Sequence, residues 1–310
     1  MANFTNQDVM KLREQTGVGM MDCKKALVET DGNFEEAIKY LREKGMASAA
    51  KKASRVAAEG IVKCVVSKDG KTAVAVEVNC ETDFVARSDQ FVALVDKIAS
   101  IILGAKATSV EQVLEVSCPE CGKTVNVLIA EATAAIGEKI SLRRFTKFEL
   151  GAKSGLISSY IHMGGKIGVL AEIESKAKQA DLMELAFNIC MQIAASKPQV
   201  VGIADVDASQ LEAEKEILTV QARNEGKPEA IIGKMVEGRI HKYYKEVCLL
   251  EQEYVRDSAL SVKDVIADTA KKVGAEINVT RFVRYEMGEG IEKRVDNFVD
   301  EIAEQLKSIK

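Results

Sequence analysis

The chain has 310 residues, 47% of them hydrophobic and 29% charged, which is too apolar for disorder and too long for one small module; two or three packed units with a real core are expected. Lysine and arginine number 43 against 47 for aspartate and glutamate, and the formal charge of −4 argues against a globally basic nucleic-acid binder. Seven thinly spread cysteines make no disulfide framework, no apolar run reaches the roughly 20 residues of a membrane span, and the polar N-terminus has no signal core, so a reducing cytoplasm fits best.

Residues 1 to about 45 read as a bundle of three short helices. Thr16-Gly17-Val18-Gly19 turns the chain before a second helix starting near Asp22, with Met20 and Met21 at the turn as large hydrophobes that so small a core only partly covers. Gly32 ends that helix. Asn33 and Glu36 have capping-box spacing for the third, its stripe is Phe34, Ala37, Ile38 and Leu41, and Gly45 stands where it should stop. The Ala- and Lys-rich run from Ala47 to Ala58 reads as a helical connector.

A duplication follows. Gly60–Lys71 aligns without gaps on Gly155–Lys166 at an offset of 95, and the match continues through Val74 with Val169 and Glu77 with Glu172. Each copy alternates apolar residues about a glycine-containing turn, so each is a β-hairpin. Gly137–Gly151 then aligns on Gly274–Gly288, with Ile140/Ile277, Arg144/Arg281, Phe145/Phe282 and Glu149/Glu286 identical, at an offset of 137. Both copies therefore read as strand, strand, helices, strand: an α+β fold with small antiparallel sheets.

The growth of the offset from 95 to 137 places 42 added residues inside the second copy, roughly between Pro198 and His241. Asp205–Asn224 and Glu229–Tyr244 have helical patterning about a Gly226-Lys227-Pro228 turn, and the seam of Leu211, Ile217, Leu218, Ile231, Ile232 and Met235 needs a cover. A hairpin docked on its own domain and a partner-binding arm both satisfy that pattern. Gly290–Lys310 is amphipathic, with Ile291, Val295, Phe298, Val299, Ile302 and Leu306 in helical spacing, as a core helix or a docking helix would be.

Tests for chemistry mostly fail. Cys118-Pro119-Glu120-Cys121-Gly122 looks like one knuckle of a zinc ribbon, but one knuckle supplies two thiolates where a structural zinc takes four ligands. No metal is assigned to Cys118 and Cys121; a reduced loop, or two knuckles paired across a dimer, stays open. Gly122-Lys123-Thr124 imitates the end of a phosphate-binding loop but has Ser117 in place of its first glycine, and Gly288-Glu289-Gly290 is too short for a dinucleotide fingerprint. Neither His162, on the second hairpin's turn, nor His241 has a convergent nucleophile or carboxylate, so no enzyme is indicated and surface recognition is the better reading of His162. Asn79–Arg87, directly after the first hairpin, sets Phe84 beside Asp83: either a tucked core residue or an exposed aromatic wedge with a neighbouring carboxylate.

At these residues the chain resembles a known family. Thr82-Asp83-Phe84-Val85-Ala86-Arg87 and the run from Leu12 to Leu27 are similar to signatures of the elongation factor Ts family, as are Ala194–Pro198, Lys234–Arg239 and Gly288–Lys293, in order along the chain. The resemblance implies a guanine nucleotide exchange factor that binds elongation factor Tu with GDP and promotes GDP release, with no cofactor and no nucleotide of its own. It implies a ubiquitin-associated-like bundle and connector over 1–56, a core N-subdomain over 57–152, a core C-subdomain over 153–287 with a helical dimerisation insert at about 203–244, and a C-terminal helical module over 288–310. It also implies partner contacts by Arg13, Met20, Met21, Thr82, Asp83, Phe84, Val85 and His162, and a homodimer through the arm, with coiled-coil character. Cys118–Gly122 departs from the family pattern, and the turn at Met163-Gly164-Gly165 weakens transfer of a contact role to His162. The competing class is a translation-associated RNA-binding or ribosome-docking protein; net acidity and the lack of aromatics interleaved with Lys or Arg argue against it.

Overall fold

The structure is a computed structural model that describes residues 3–292, so the C-terminal amphipathic segment expected from the sequence lies, from residue 293 on, outside the described residues. Three helices open the chain: α1 (Asn6–Thr16), α2 (Met20–Glu29) and α3 (Phe34–Lys52). They close over a small core of Val9, Leu12, Val18, Cys23, Ala26, Leu27, Ala37 and Leu41. Gly19 caps α2, which begins at Met20, ahead of the expected start near Asp22, so Met20 and Met21 form a first helical turn. Asn33 caps α3 by accepting from the Glu35 and Glu36 N–H groups.

Gly45 does not stop α3. The helix runs on to Lys52, taking in part of the expected connector, and Gly45 lies buried within it. A Cβ added there would stand 3.3 Å from the Ala134 Cβ of α7 (Val125–Ile136), so the missing side chain lets two helices approach closely. The bundle is docked on the rest of the chain along this contact, with Lys52 Nζ donating to the Thr133 carbonyl at 3.3 Å.

Two three-stranded antiparallel sheets follow. The first pairs β1 (Glu59–Val66), β2 (Thr72–Cys80) and β3 (Ser141–Glu149) in that order, with α4 (Asp83–Ala86), α5 (Asp89–Gly104), α6 (Val110–Glu115) and α7 between β2 and β3. In the second, β4 (Gly155–His162) and β5 (Ile167–Ser175) are joined by β8 (Ile277–Glu286), after α8 (Gln179–Ser196), α9 (Ala208–Asn224), α10 (Glu229–Val247), the short ladder of β6 (Glu253–Tyr254) with β7 (Asp257–Ser261), and α11 (Val262–Val273). Period-two alternation sends β2 to two cores: Val74, Val76 and Val78 face the helices, while Ala73 and Ala75 face the other sheet. In β5, Val169, Ala171 and Ile173 face α8 and α11, and Leu170 faces the inter-sheet layer. Only a minimal residue fits at Gly168, where a Cβ would lie 2.4 Å from a Val62 methyl. The result is four layers: helices, sheet, sheet, helices.

The duplication survives as a pseudo-two-fold set of contacts. Val62 N–H donates to the Gly165 carbonyl at 2.7 Å and Ile157 N–H to the Gly70 carbonyl at 2.8 Å, reciprocally between the copies; within each copy the same bond recurs, from Leu150 N–H to the Lys71 carbonyl and from Met287 N–H to the Lys166 carbonyl. Arg144 stacks over Tyr285 and Arg281 over Phe148, each guanidinium 4.2 Å from the ring centroid of the other copy. Beneath each arginine is a buried carboxylate: Arg144 Nε lies 2.6 Å from Glu77, and Arg281 pairs with Glu172 at 2.6 Å. Each ladder shifts register at that glutamate.

Symmetry breaks at Glu77. Its oxygens also accept from Arg143 at 3.0 Å, from Asn79 at 3.1 Å and from the Gly288 N–H at 2.8 Å, while Arg143 reaches the Glu289 carbonyl. Burial alone would raise this carboxyl, but the Gly288 N–H, Arg143, Arg144 and Asn79 together hold it below the usual carboxylate range. Glu77 thereby ties the exit of β8 to the first sheet.

In the arm, α9 and α10 form the expected hairpin, though its seam is less bare than the sequence suggests. Leu218, Ala222, Ile232 and Ile240 are buried, whereas Ile217, Val220 and Ile231 are exposed. Two helices in contact cover one stripe of each other, and a helix hydrophobic around more than that stripe shows the remainder to solvent.

Candidate functional site

The loop after β2 is built so that its apolar residues divide. Thr82 caps α4 with its hydroxyl accepting from Val85 N–H at 3.3 Å. Ala86 is buried, Val85 packs against the first core, and Phe84 is left 83% exposed, the most exposed of the large hydrophobic side chains among the described residues. The tucked-residue reading of Phe84 is therefore set aside.

A carboxylate distant in sequence holds this turn. Glu138 accepts from the Glu81 N–H at 3.1 Å, the Thr82 N–H at 3.0 Å and the Thr82 hydroxyl at 2.7 Å. Glu81 in turn accepts from Lys139 N–H at 2.6 Å and pairs with Arg55 at 3.2 Å. Asp83 pairs with Arg87 one turn later at 3.1 Å, both partly open to solvent. Phe84 thus stands on a braced one-turn helix instead of a slack loop, which lowers the entropy lost when it meets a partner.

The bundle brings a second set of predicted residues near. A Cβ at Gly17, in the α1–α2 turn, would lie 3.6 Å from Gln90 at the start of α5, so the turn before Met20 abuts the helix that follows the Phe84 loop. Arg13 is exposed, Met20 is partly exposed and Met21 is 77% exposed. His162 lies on the other copy. It is exposed and bonds through Nδ1 to the Tyr160 hydroxyl at 3.0 Å, and Tyr160 meets Phe187 of α8 edge-on at 5.5 Å. The turn carrying His162 packs through Gly165 on Ile61 and Val62 of β1. Met163, next to His162 in sequence, and Phe187 are exposed, as is Met183 one turn before Phe187 on α8.

Glu138, Arg87, Met183 and Phe187 were not singled out by sequence reasoning. Glu138 is remote in sequence from the turn it braces and had no motif to mark it. The one available signal for Phe187 was its i+4 spacing from Met183 on a helix whose other face is apolar.

Cysteine environments differ. Burial pushes the Cys64, Cys80 and Cys190 thiols up to about 12. Cys118 goes the other way: a hydrogen bond with the Cys121 side chain, then the Cys121 and Glu120 N–H groups, lower it despite desolvation. Among the described residues no helix is long and apolar enough to cross a membrane.

Comparison with known proteins decides what this arrangement belongs to. A family model described as Elongation factor TS matches residues 81–289. The chain is 52% identical to elongation factor Ts of Clostridium perfringens (strain SM101 / Type A), over 97% of this chain and 98% of that protein. The chain belongs to the elongation factor Ts family. Elongation factor Ts of Clostridioides difficile (strain 630) is 49% identical over 99% of this chain and 100% of its own length, and that of Clostridium kluyveri 48% identical over 98% and 99%. The elongation factor Ts model opens at Glu81 on the Phe84 turn and closes at Glu289 on the Glu77 clasp, and the relatives extend the likeness across the bundle.

Proposed function

We propose that the chain promotes guanine nucleotide exchange on elongation factor Tu by presenting Phe84, with Asp83 beside it, as a wedge. Membership of the family makes it an exchange factor in translation elongation. The observation that carries the wedge reading is a phenylalanine 83% exposed on a turn fixed by Glu138. GTPases hold nucleotide through a phosphate-cradling loop, its lysine and a magnesium ion. An aromatic side chain driven between elements of the GTPase shifts that cluster without copying the nucleotide, because packed interiors move between discrete arrangements. Asp83 leaves or shares Arg87 to hydrogen-bond the partner, and Thr82 and Val85 set the turn.

Arg13, Met20 and Met21 supply a second contact, the methionines adapting to the partner surface and Arg13 seeking a carboxylate. His162 supplies a third, grouped with Tyr160 and Phe187. The chain catalyses no bond chemistry, binds no nucleotide or nucleic acid itself, and works in the cytoplasm. We keep the divisions 1–56, 57–152, 153–287 and 288–310, the first ubiquitin-associated-like. The arm at about 203–244 joins two copies in a coiled coil. Exposed Ile217, Val220 and Ile231 support this, as do Gly233 and Gly238 of α10, around which space is open; each costs about 1 kcal/mol against alanine in a helix interior unless close approach of another backbone gives the glycine a use.

The test is release of fluorescent GDP from elongation factor Tu with and without the chain, run beside an RNA gel shift. Accelerated release without an RNA complex is expected. An RNA complex with release at the spontaneous rate would overturn the assignment.

A further inference from the structure

We propose that Cys118 and Cys121 form a two-thiolate site for a soft divalent cation of the zinc class. The turn that carries them is already shaped for this. Ser117 bridges Thr124, Cys118 N–H donates to the Lys123 carbonyl at 2.8 Å and Gly122 N–H to the Cys118 carbonyl at 2.9 Å, so the two cysteines sit on a closed knuckle. Pro119 presets the first corner of the turn, and Gly122 takes a φ of +68° that a side chain would resist. Two backbone N–H groups, of Glu120 and Cys121, point at the Cys118 sulfur, and the Cys121 thiol shares a hydrogen bond with it. The closed knuckle holds the two cysteines on one turn, three residues apart, where a single cation can be held by both sulfurs. Thiolates at C-x-x-C spacing are the soft donors zinc takes in tetrahedral sites.

Space and access fit as well. The knuckle lies at the edge of a cleft of about 640 Å³ lined by Asp96, Lys97, Ile101, Val116, Cys118 and Glu120. Cys118 is covered by its own turn and Cys121 is exposed, so an ion reaches the pair from the solvent side. Asp96 is paired with Lys63 at 2.7 Å and Glu120 with Lys97 at 3.8 Å. Among the described residues no cluster of three or more His, Cys, Asp or Glu is placed to hold an ion, so the chain supplies two donors and the remaining positions go to water or to the knuckle of a second copy. Binding exchanges two S–H bonds for two S–metal bonds and delivers up to two protons to the buffer, with no change of oxidation state.

Cobalt(II) serves as the probe, titrated anaerobically into the full chain under a non-thiol reductant. The expected result is a near-ultraviolet sulfur-to-cobalt charge-transfer band, bleached by added zinc and lost in Cys121→Ser, with Cys118→Ser behaving alike if it folds. Because Cys121 is exposed, its replacement leaves the circular dichroism unchanged and remains decisive. Saturation at one ion per chain means solvent completes the shell, and at one per two chains a second knuckle does; both support the site. No charge-transfer band at saturating cobalt, or a band that persists in Cys121→Ser, would overturn it.

Discussion

Replacing Glu77 by glutamine removes one charge from the centre of the fold while keeping the side chain's size, and the consequence can be worked from its contacts. One carboxylate oxygen receives Arg143, Asn79 and the Gly288 N–H, and the other receives Arg144 Nε at 2.6 Å. In glutamine one of these positions becomes an NH2, so at least one donor faces another donor whichever way the amide turns. Breaking a buried ion pair from one side costs about 3–5 kcal/mol. Arg143 and Arg144 keep about a quarter of their side-chain surface in solvent and can partly rehydrate, which puts the expectation near the lower figure, about 3 kcal/mol. At roughly 2–4 °C per kcal/mol for 150–250 residues, Tm should fall by about 6–12 °C, read by circular dichroism on the full chain. The pH dependence carries the sign. Glu77 sits below its ordinary value in the fold, so its contribution is present above the unfolded pKa near 4.5 and is lost as pH falls through the folded one. The gap between wild type and Glu77→Gln should therefore close on acidification. A Tm within about 2 °C of wild type at neutral pH, on the same scale, would refute the clasp.

Other outcomes follow from the same contacts. Gly45→Leu should lift the bundle from α7, since even a Cβ there lies 3.3 Å from Ala134, and limited proteolysis should then cut between Lys52 and Glu59 while the sheets stay intact. Met20→Ala with Met21→Ala should weaken binding to elongation factor Tu while moving the chain's Tm by no more than about 2–3 °C, because Met21 is largely in solvent and Met20 is partly so and outside the bundle core; an equal loss of stability and binding would make them bundle core. Deleting about 203–244 behind a short turn should give a folded chain that sediments as a monomer of its own shortened mass, and sedimentation at twice that mass would end the dimer reading.

Much of the architecture was legible because the chain repeats itself. The two offsets located the strands of both sheets and the inserted helices, and they matched Glu77 to Glu172 and Arg144 to Arg281; that each glutamate pairs with the arginine of its own copy was not legible before the strands were laid side by side. Gly45 was misread for a physical reason: a glycine that ends a helix and one that admits a neighbour look alike until Ala134, far along the chain, is brought beside it. Phe84 shows the same limit at the site. The sequence left burial and exposure both open, and what exposes it is the division of one helical turn among Val85, Ala86 and Phe84 under a brace from Glu138. The arm's seam was half legible, since spacing alone does not say which stripe of α9 faces α10.

Release of GDP from elongation factor Tu at saturating factor, compared for wild type, Phe84→Ala and Asp83→Ala, addresses the central claim most directly. Phe84 loses almost no buried surface on truncation in the free chain, so stability should change by no more than about 0.5 kcal/mol. In the complex, a wedged phenylalanine buries a side chain worth about 1.5–3 kcal/mol, which at about 1.4 kcal/mol per decade corresponds to release roughly 10–100-fold slower. Linkage constrains the equilibrium alone: by whatever ratio the chain weakens GDP binding, GDP weakens binding of the chain. Slowed release with unchanged unfolding is the result expected of both variants. Release at the wild-type rate in both would contradict the wedge.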